Sequence, residues 1–470
     1  MLFTSLEFIF LFLPIVLIIN YILPKALSNY WLLLASLFFY AWGEPKFVFV
    51  MVGSILFNYL CALGIGGCAV RWGKKAVLGL AVLGNLSVLF IYKYLNFTTS
   101  VLSRLFPNRG MAATEILLPI GISFFTFQAL SYVIDVYRGV AVQKNPAKIG
   151  LYISLFPQLI AGPIVRYTTV QEQIDRRTIT LRDFEEGLLR FVQGFNKKIL
   201  LANSFAVVAD MAFAAAGTSV ATAWLGAVSY TLQIFFDFSG YSDMAIGLGR
   251  MLGFHFLENF NYPYISKTIS EFWRRWHISM GSWFRDYVYF PLGGSRVKTK
   301  GRLIFNLAVV WLATGIWHGA NWTFLVWGLL YGVLIIFEKL CGIENRLKGW
   351  KLPARLIYQA GSLVLIISGW VLFRSGSLGQ AGEYLKTMFG LNGAALTDGS
   401  FVFYLREYAL YFAAGILCCT PLFKKMRQRL SAAPAAIWQA TACLWQAGLL
   451  LISVSQLVIN AHNPFIYFNF

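Results

Sequence analysis

Between Leu303 and Phe337 the chain carries no Asp, Glu, Lys or Arg, and a single histidine, His318, sits inside that stretch. The stretch is long enough to cross a bilayer and begin the return. Backbone at membrane depth must satisfy its own N–H and C=O groups, so it is confined to helices or to irregular segments enclosed by protein. The same apolar character runs through the whole sequence. Residues are 58% hydrophobic and 13% charged, whereas a soluble domain is near half apolar and about a quarter charged. The expected fold class is all-α, a polytopic membrane protein.

Further spans are expected at 1–23, 29–42, 46–66, 76–94, 116–136, 187–214, 222–250, 357–373, 403–422 and 435–459. The first of these lacks the basic start of a signal peptide. Residues 150–165 are apolar but hold Pro157, Gly162 and Pro163, which points to a re-entrant element. The basic links Arg71–Lys75 and Arg138–Lys148 are assigned to the cytoplasmic side, which puts the N terminus outside. A formal net charge of +19 is explained by Lys and Arg gathered in cytoplasmic loops. It would also attract anionic membrane lipids and an anionic donor such as a coenzyme A thioester. No nucleic-acid motif is present. The six cysteines show no CxxC or Cys/His spacing, so no metal site is expected. Asp237 and Asp243 lie in an apolar run, where each is either functional or paired with a neighbouring arginine or hydroxyl, and the structural reading is favoured.

A titratable side chain at membrane depth is costly and by default marks a functional site. His318 is flanked by Gly315 and Gly319, which let backbones or a substrate approach closely. His318 is therefore the expected catalytic residue. Upstream, the segment from Glu271 reads as one amphipathic interfacial helix. Trp273, Trp276, Met280, Trp283, Phe284 and Tyr287 share one face, and Arg274, Arg275 and Arg285 share the other. His277 falls at the edge of the apolar face, a position equally compatible with a hydrogen-bonded structural role.

The strings EFWRRWHISMGSWFRDYVYFPLGGSR (271–296) and WHGANWTFLVWGLLYG (317–332) resemble the membrane-bound O-acyltransferases. The likeness is to the bacterial branch that acetylates alginate or peptidoglycan or D-alanylates teichoic acid. FPQLIAGPIVR (156–166) and FDFSGYSDMAIG (236–247) resemble the same branch. The resemblance covers most of the chain. It implies a single domain, 1–470, with N-terminal spans to 150, a core at 151–340 holding both motif histidines, and C-terminal spans with an aromatic tail at 341–470. It implies about 11–12 transmembrane helices, with re-entrant and interfacial helices around a central tunnel. By resemblance His318 is the catalytic histidine and His277 the second motif position. The C-terminal Phe465-x-Tyr467-x-x-Phe470 is similar to a motif whose tyrosine carries the acyl group in the D-alanylation system; otherwise it is an aromatic membrane anchor.

Acyl transfer from a thioester needs a nucleophile, a base and oxyanion stabilisation. A neutral imidazole suits the base. Arg274, Arg275, Arg285 and Trp276 are candidates for the donor's binding site, with the arginines on its phosphates, and Asn321 is a candidate N–H donor. The expected function is transfer of an acetyl group from cytoplasmic acetyl-CoA, with no resident cofactor, to hydroxyls of an extracytoplasmic or cell-wall polysaccharide. The resemblance further implies an outward-facing esterase-like partner of the SGNH type and a place in the bacterial cytoplasmic membrane. Two other classes fit the composition: a transporter or channel without acyl chemistry, and an intramembrane lipid O-acyltransferase.

Overall fold

The computed structural model describes residues 1–107, 114–215, 217–429, 435–459 and 465–466. Every regular element among them is helical. In chain order the main helices are α1 (Phe8–Ile22), α2 (Lys25–Gly43), α3 (Val48–Gly67), α4 (Arg71–Leu105), α5 (Ile122–Tyr137), α6 (Pro146–Ser154), α7 (Phe156–Leu159), α8 (Tyr167–Asp175) and α9 (Leu181–Asn196). A π-helical turn, Lys197–Ala202, leads to α10 (Asn203–Ala214), then α11 (Val220–Met251), α12 (Ile269–Arg275), α13 (Ile278–Phe284), α14 (Lys300–His318) and α15 (Trp322–Cys341). The chain continues with α16 (Leu352–Arg374), α17 (Leu378–Met388), α18 (Gly399–Glu407), α19 (Ala409–Cys418), α20 (Leu422–Arg429) and α21 (Ala435–Ile459).

Among the described residues, five helices are long and apolar enough to cross a membrane: α3, α4, α15, α16 and the Ala440–Ile459 part of α21. The number is six if α18 and α19, bent by 64° at their junction, form one span. α1 and α5 are apolar but shorter. The expected spans at 187–214 and 222–250 are helical, yet they carry too many polar groups to count on composition alone.

The chain divides into two compact units. The first comprises Met1–Phe191 and Tyr241–Leu257. Its core is aromatic, with Phe3, Phe8, Phe39 and Phe156 in mutual ring contact. Asn58 of α3 and Asn85 of α4 exchange amide hydrogen bonds at 2.7 and 3.1 Å, which satisfies both polar groups between apolar helices. Every residue from 149 to 165 is buried. The proline- and glycine-containing stretch forms two short helices and then irregular backbone, enclosed by protein as such backbone must be in a membrane. Asp243 is matched by Arg190 at 2.6 Å, the ion-pair reading of that carboxylate.

The second unit comprises Val192–Gly240 and Glu258–Phe470. At its centre is the hairpin of α14 and α15. Thr299 caps α14 by accepting from the Arg302 N–H at 3.2 Å, and Asn321 caps α15 by accepting from the Thr323 N–H at 3.1 Å. Such caps satisfy orphan N–H groups of the first turn. The N terminus of α12 is met by the buried Glu338 carboxylate on α15, which accepts from the Ile269 and Ser270 N–H groups, both at 2.8 Å. Charge and hydrogen bonds there both favour the helix end.

The expected single helix from Glu271 is a correction. It breaks at Trp276–His277, where His277 adopts a left-handed backbone with φ 45°. Two helices of seven residues replace it. The division of faces survives the break. Trp276, Met280, Trp283 and Phe284 are buried, and Arg274 and Arg285 are exposed.

Candidate active site

His277 and His318 both have ring contacts with one indole. Trp317 stands 6.1 Å from the His277 ring and 4.9 Å from the His318 ring, centroid to centroid. Both imidazoles are buried, His277 fully and His318 to 3% exposure.

His318 is the last residue of α14. Trp327 packs edge-on against it at 4.8 Å and Phe373 at 5.2 Å. The wall extends through Trp273, Trp370 and Tyr331, each in ring contact with Trp327. The helices come close because Gly315 and Gly328 face each other. A Cβ on Gly328 would lie 2.8 Å from the Gly315 Cα. The sequence expectation of close approach near His318 is thus realised by backbone against backbone.

His277 is held from behind by Asn259. The Asn259 Oδ1 accepts from the Ser279 N–H at 3.2 Å and from the Ser279 hydroxyl at 2.9 Å, and it lies 3.1 Å from His277 Nδ1. The Asn259 carbonyl takes the Ile278 N–H at 2.9 Å. An oxygen that already accepts two donors can only accept from the imidazole, so the proton belongs on Nδ1. Nε2 then carries a lone pair, and it has no hydrogen-bond partner among the described residues. Burial lowers the imidazole to about 3, so it is neutral near pH 7. Phe238 of α11 packs edge-on at 4.6 Å. Asn259 is a residue that sequence reasoning missed. It lies in a loop without periodicity, and nothing local marks it as the partner of His277.

The other candidates fall in different places. Trp276 is 2% exposed and packs among Phe260, Phe272 and Trp370. It faces the protein interior, not a headgroup layer. Arg274 pairs with Glu344, Arg275 with Glu271 at 2.9 Å and Arg285 with Asp286 at 2.8 Å. Arg274 and Arg285 keep more than half of their side-chain surface exposed. Asn321 is engaged as the cap of α15, and its Nδ2 donates to the Gly376 carbonyl at 3.0 Å.

Tyr467 lies outside the described residues; its two predecessors are within them. Phe465 and Ile466 are buried. The Phe465 ring lies 6.0 Å from Phe238, the ring that packs on His277. The Ile466 N–H donates to Asp237 Oδ2 at 2.7 Å. Asp237 Oδ1 is 2.5 Å from Lys198 Nζ, with both side chains buried.

An all-helical chain with several membrane-length apolar helices defines a multi-pass membrane protein, and this one encloses two buried imidazoles among aromatic rings. Residues 143–343 match the model of the membrane-bound O-acyltransferase family. The chain is 40% identical to the probable alginate O-acetylase AlgI of Azotobacter vinelandii, over all of both proteins. It is 36% identical to the peptidoglycan O-acetyltransferase of Helicobacter pylori, over 84% of this chain and 81% of that protein. It is 30% identical to the teichoic acid D-alanyltransferase of Bacillus subtilis, over 47% of this chain and 60% of that protein. The chain belongs to the membrane-bound O-acyltransferase family. It is an acyltransferase and a multi-pass protein of the bacterial inner membrane.

Proposed function

We propose that the chain moves an acetyl group from acetyl-CoA at the cytoplasmic face to a hydroxyl of an extracytoplasmic polysaccharide. Alginate and peptidoglycan, the polymers named for the two relatives with acetyl specificity, are the first acceptors to test. Arg274, Arg275 and Arg285 meet the donor's phosphates. A guanidinium fork fits phosphate as well as it fits carboxylate.

The chemistry runs in two balanced steps. His318 takes the proton of the Tyr467 hydroxyl as its oxygen attacks the thioester carbonyl. The C–S bond breaks, the thiolate takes a proton, and coenzyme A leaves an acetyl ester on Tyr467. An acceptor hydroxyl then attacks that ester, and the phenol oxygen recovers its proton. An outward-facing esterase-like partner carries the acetyl group onward when the polymer does not itself reach the ester. His277, with its lone pair on Nε2, is the second base of the pair.

One observation supports this reading above the others. The residues just before Tyr467 are anchored at Asp237 and Phe238, and Phe238 packs on His277. A simple aromatic anchor at a lipid interface needs no such attachment. The test is intact mass of the purified protein after incubation with acetyl-CoA, beside Tyr467→Phe and His318→Ala. One acetyl on the wild type, absent from both variants, is expected. Coenzyme A release without an adduct would reduce Tyr467 to an anchor and make transfer direct.

A further inference from the structure

Asp237 and Lys198 form a buried ion pair that the proposed chemistry does not use. The side chains are 2% and 5% exposed, at 2.5 Å. An isolated charge is too costly to bury, and even a matched pair is seldom better for stability than apolar side chains of the same shape. Its presence therefore calls for another reason, and the other oxygen supplies one. Asp237 Oδ2 accepts the Ile466 N–H at 2.7 Å, so one carboxylate joins the end of the chain to α11.

The surroundings are built to the same end. Lys198 sits in the π-helical turn Lys197–Ala202, an irregularity that recurs at functional positions. Gly240, one turn beyond Asp237, lets α11 close on that turn. A Cβ there would lie 2.8 Å from the Gly194 carbonyl oxygen and 3.2 Å from the Lys198 nitrogen. Asn196, two residues before Lys198, holds the last helix. Its Oδ1 accepts from the Ser453 hydroxyl at 2.7 Å, and its Nδ2 donates to Gln446 Oε1 at 3.1 Å. Helix α21 and the backbone of Ile466 are thus fastened to one short stretch, 196–198, and its partner carboxylate.

We infer that Asp237, held by Lys198, is a positioning residue. It fixes the backbone at Ile466, the residue before Tyr467 in sequence, beside the ring of Phe238 that packs on His277, and acyl transfer depends on that attachment. The inference rests on the relay reading of Tyr467 as an acyl carrier. A misplacement of about 1 Å in such a carrier can cost on the order of 100-fold in rate.

Two double variants isolate the hydrogen bond from the charge: Lys198→Met with Asp237→Asn, and Lys198→Met with Asp237→Leu. Both are neutral and share one branched side-chain skeleton, and only the first keeps an oxygen for the Ile466 N–H. Amide hydrogen exchange at Ile466 is read on the full chain in detergent, together with acetyl transfer from acetyl-CoA. We expect the Leu variant to exchange at Ile466 at least about 10-fold faster than the Asn variant. It should also transfer acetyl at least about 10-fold more slowly at equal thermal stability. Equal exchange in the two variants overturns the anchoring. Faster exchange in the Leu variant with equal transfer overturns the positioning role. If Tyr467→Phe transfers acetyl normally, the relay reading fails by that result alone, while the exchange data still decide whether Asp237 holds the tail. Should the Leu variant fail to fold, the Lys198→Met with Asp237→Asn variant, which retains the acceptor and buries no charge, is compared with wild type. Its Ile466 exchange must then stay within about 3-fold of wild type, and a larger rise overturns the inference.

Discussion

Gly315 and Gly328 meet where α14 crosses α15, and the crossing leaves no room for a side chain on either. A Cβ on Gly315 would stand 2.7 Å from the Phe324 carbonyl oxygen, and one on Gly328 would stand 2.6 Å from the Trp311 carbonyl oxygen. Both obstacles are backbone, which cannot swing aside. Gly315→Ala and Gly328→Ala are each expected to cost about 1–3 kcal/mol by overpacking. Each should also reduce acyl transfer, because His318 follows Gly315 by one turn. Thermal unfolding in detergent reads the first effect and coenzyme A release the second. Gly301→Ala is the control. It lies in the first turn of α14 with nothing within 4 Å of its Cβ, and alanine there should be neutral or slightly stabilising.

The left-handed backbone of His277 separates two contributions that an alanine scan would merge. A residue with a side chain at φ 45° pays about 1–2 kcal/mol that glycine does not. His277→Gly is therefore expected to be more stable than His277→Ala by about 1 kcal/mol. If the imidazole serves as a base, both variants should lack transfer to the same degree. Equal stability of the two would mean that the strain is absent in solution. Activity in the glycine variant alone would mean that the backbone turn, not the ring, is what transfer requires.

The residues that announced themselves in the sequence are those whose cost is local. An imidazole in an uncharged run, glycines beside it and arginines opposite tryptophans each break a simple rule of membrane composition. Those signals led to the 14–15 hairpin and to His277 with its flanking aromatics. The break at His277 gave no such signal. The helical period continues across it, no glycine or proline marks it, and the residue that takes up the N–H groups there, Asn259, is remote in sequence. The anchoring of Ile466 was hidden for the same reason. It depends on a backbone N–H meeting Asp237, and a backbone group has no identity in a sequence. Spans were legible as apolar runs, but their ends were not. Helix α5 starts only at Ile122, after Gly121 turns with φ 76° beneath the Leu159 carbonyl.

The arginines near the motif helices should separate binding from folding. Arg274 and Glu344 are 59% and 44% exposed, and exposed pairs contribute about 0–1 kcal/mol. Arg274→Ala should therefore leave thermal stability almost unchanged. If the guanidinium meets a donor phosphate, the variant should raise the KM for acetyl-CoA about 10-fold, the value of one charged hydrogen bond, with kcat unaltered. The wild-type KM should rise with added salt as exposed charges are screened, and that dependence should be shallower in the variant. A KM that ignores both the substitution and the salt would move the donor away from this surface.

Titration of His277 gives a stability signature that is independent of chemistry. Burial holds its folded-state value at about 3, whereas an unfolded histidine takes up its proton near 6.5. Between those values the unfolded chain binds one proton more than the folded one. Stability must then fall as pH decreases from about 6.5 towards 3, on the order of 1 kcal/mol per pH unit from this group, and be flat with respect to it above 6.5. Acidic residues titrate in the same window, so the quantity to measure is the difference between wild type and His277→Asn, a residue that tolerates the left-handed backbone. The wild type should lose stability more steeply below pH 6.5, and the two curves should run parallel above it. Parallel curves throughout would place the ring in contact with water. The same neutrality predicts that an acidic limb in the transfer rate near pH 6 belongs to a group other than His277, and it should persist in every His277 variant that retains measurable turnover.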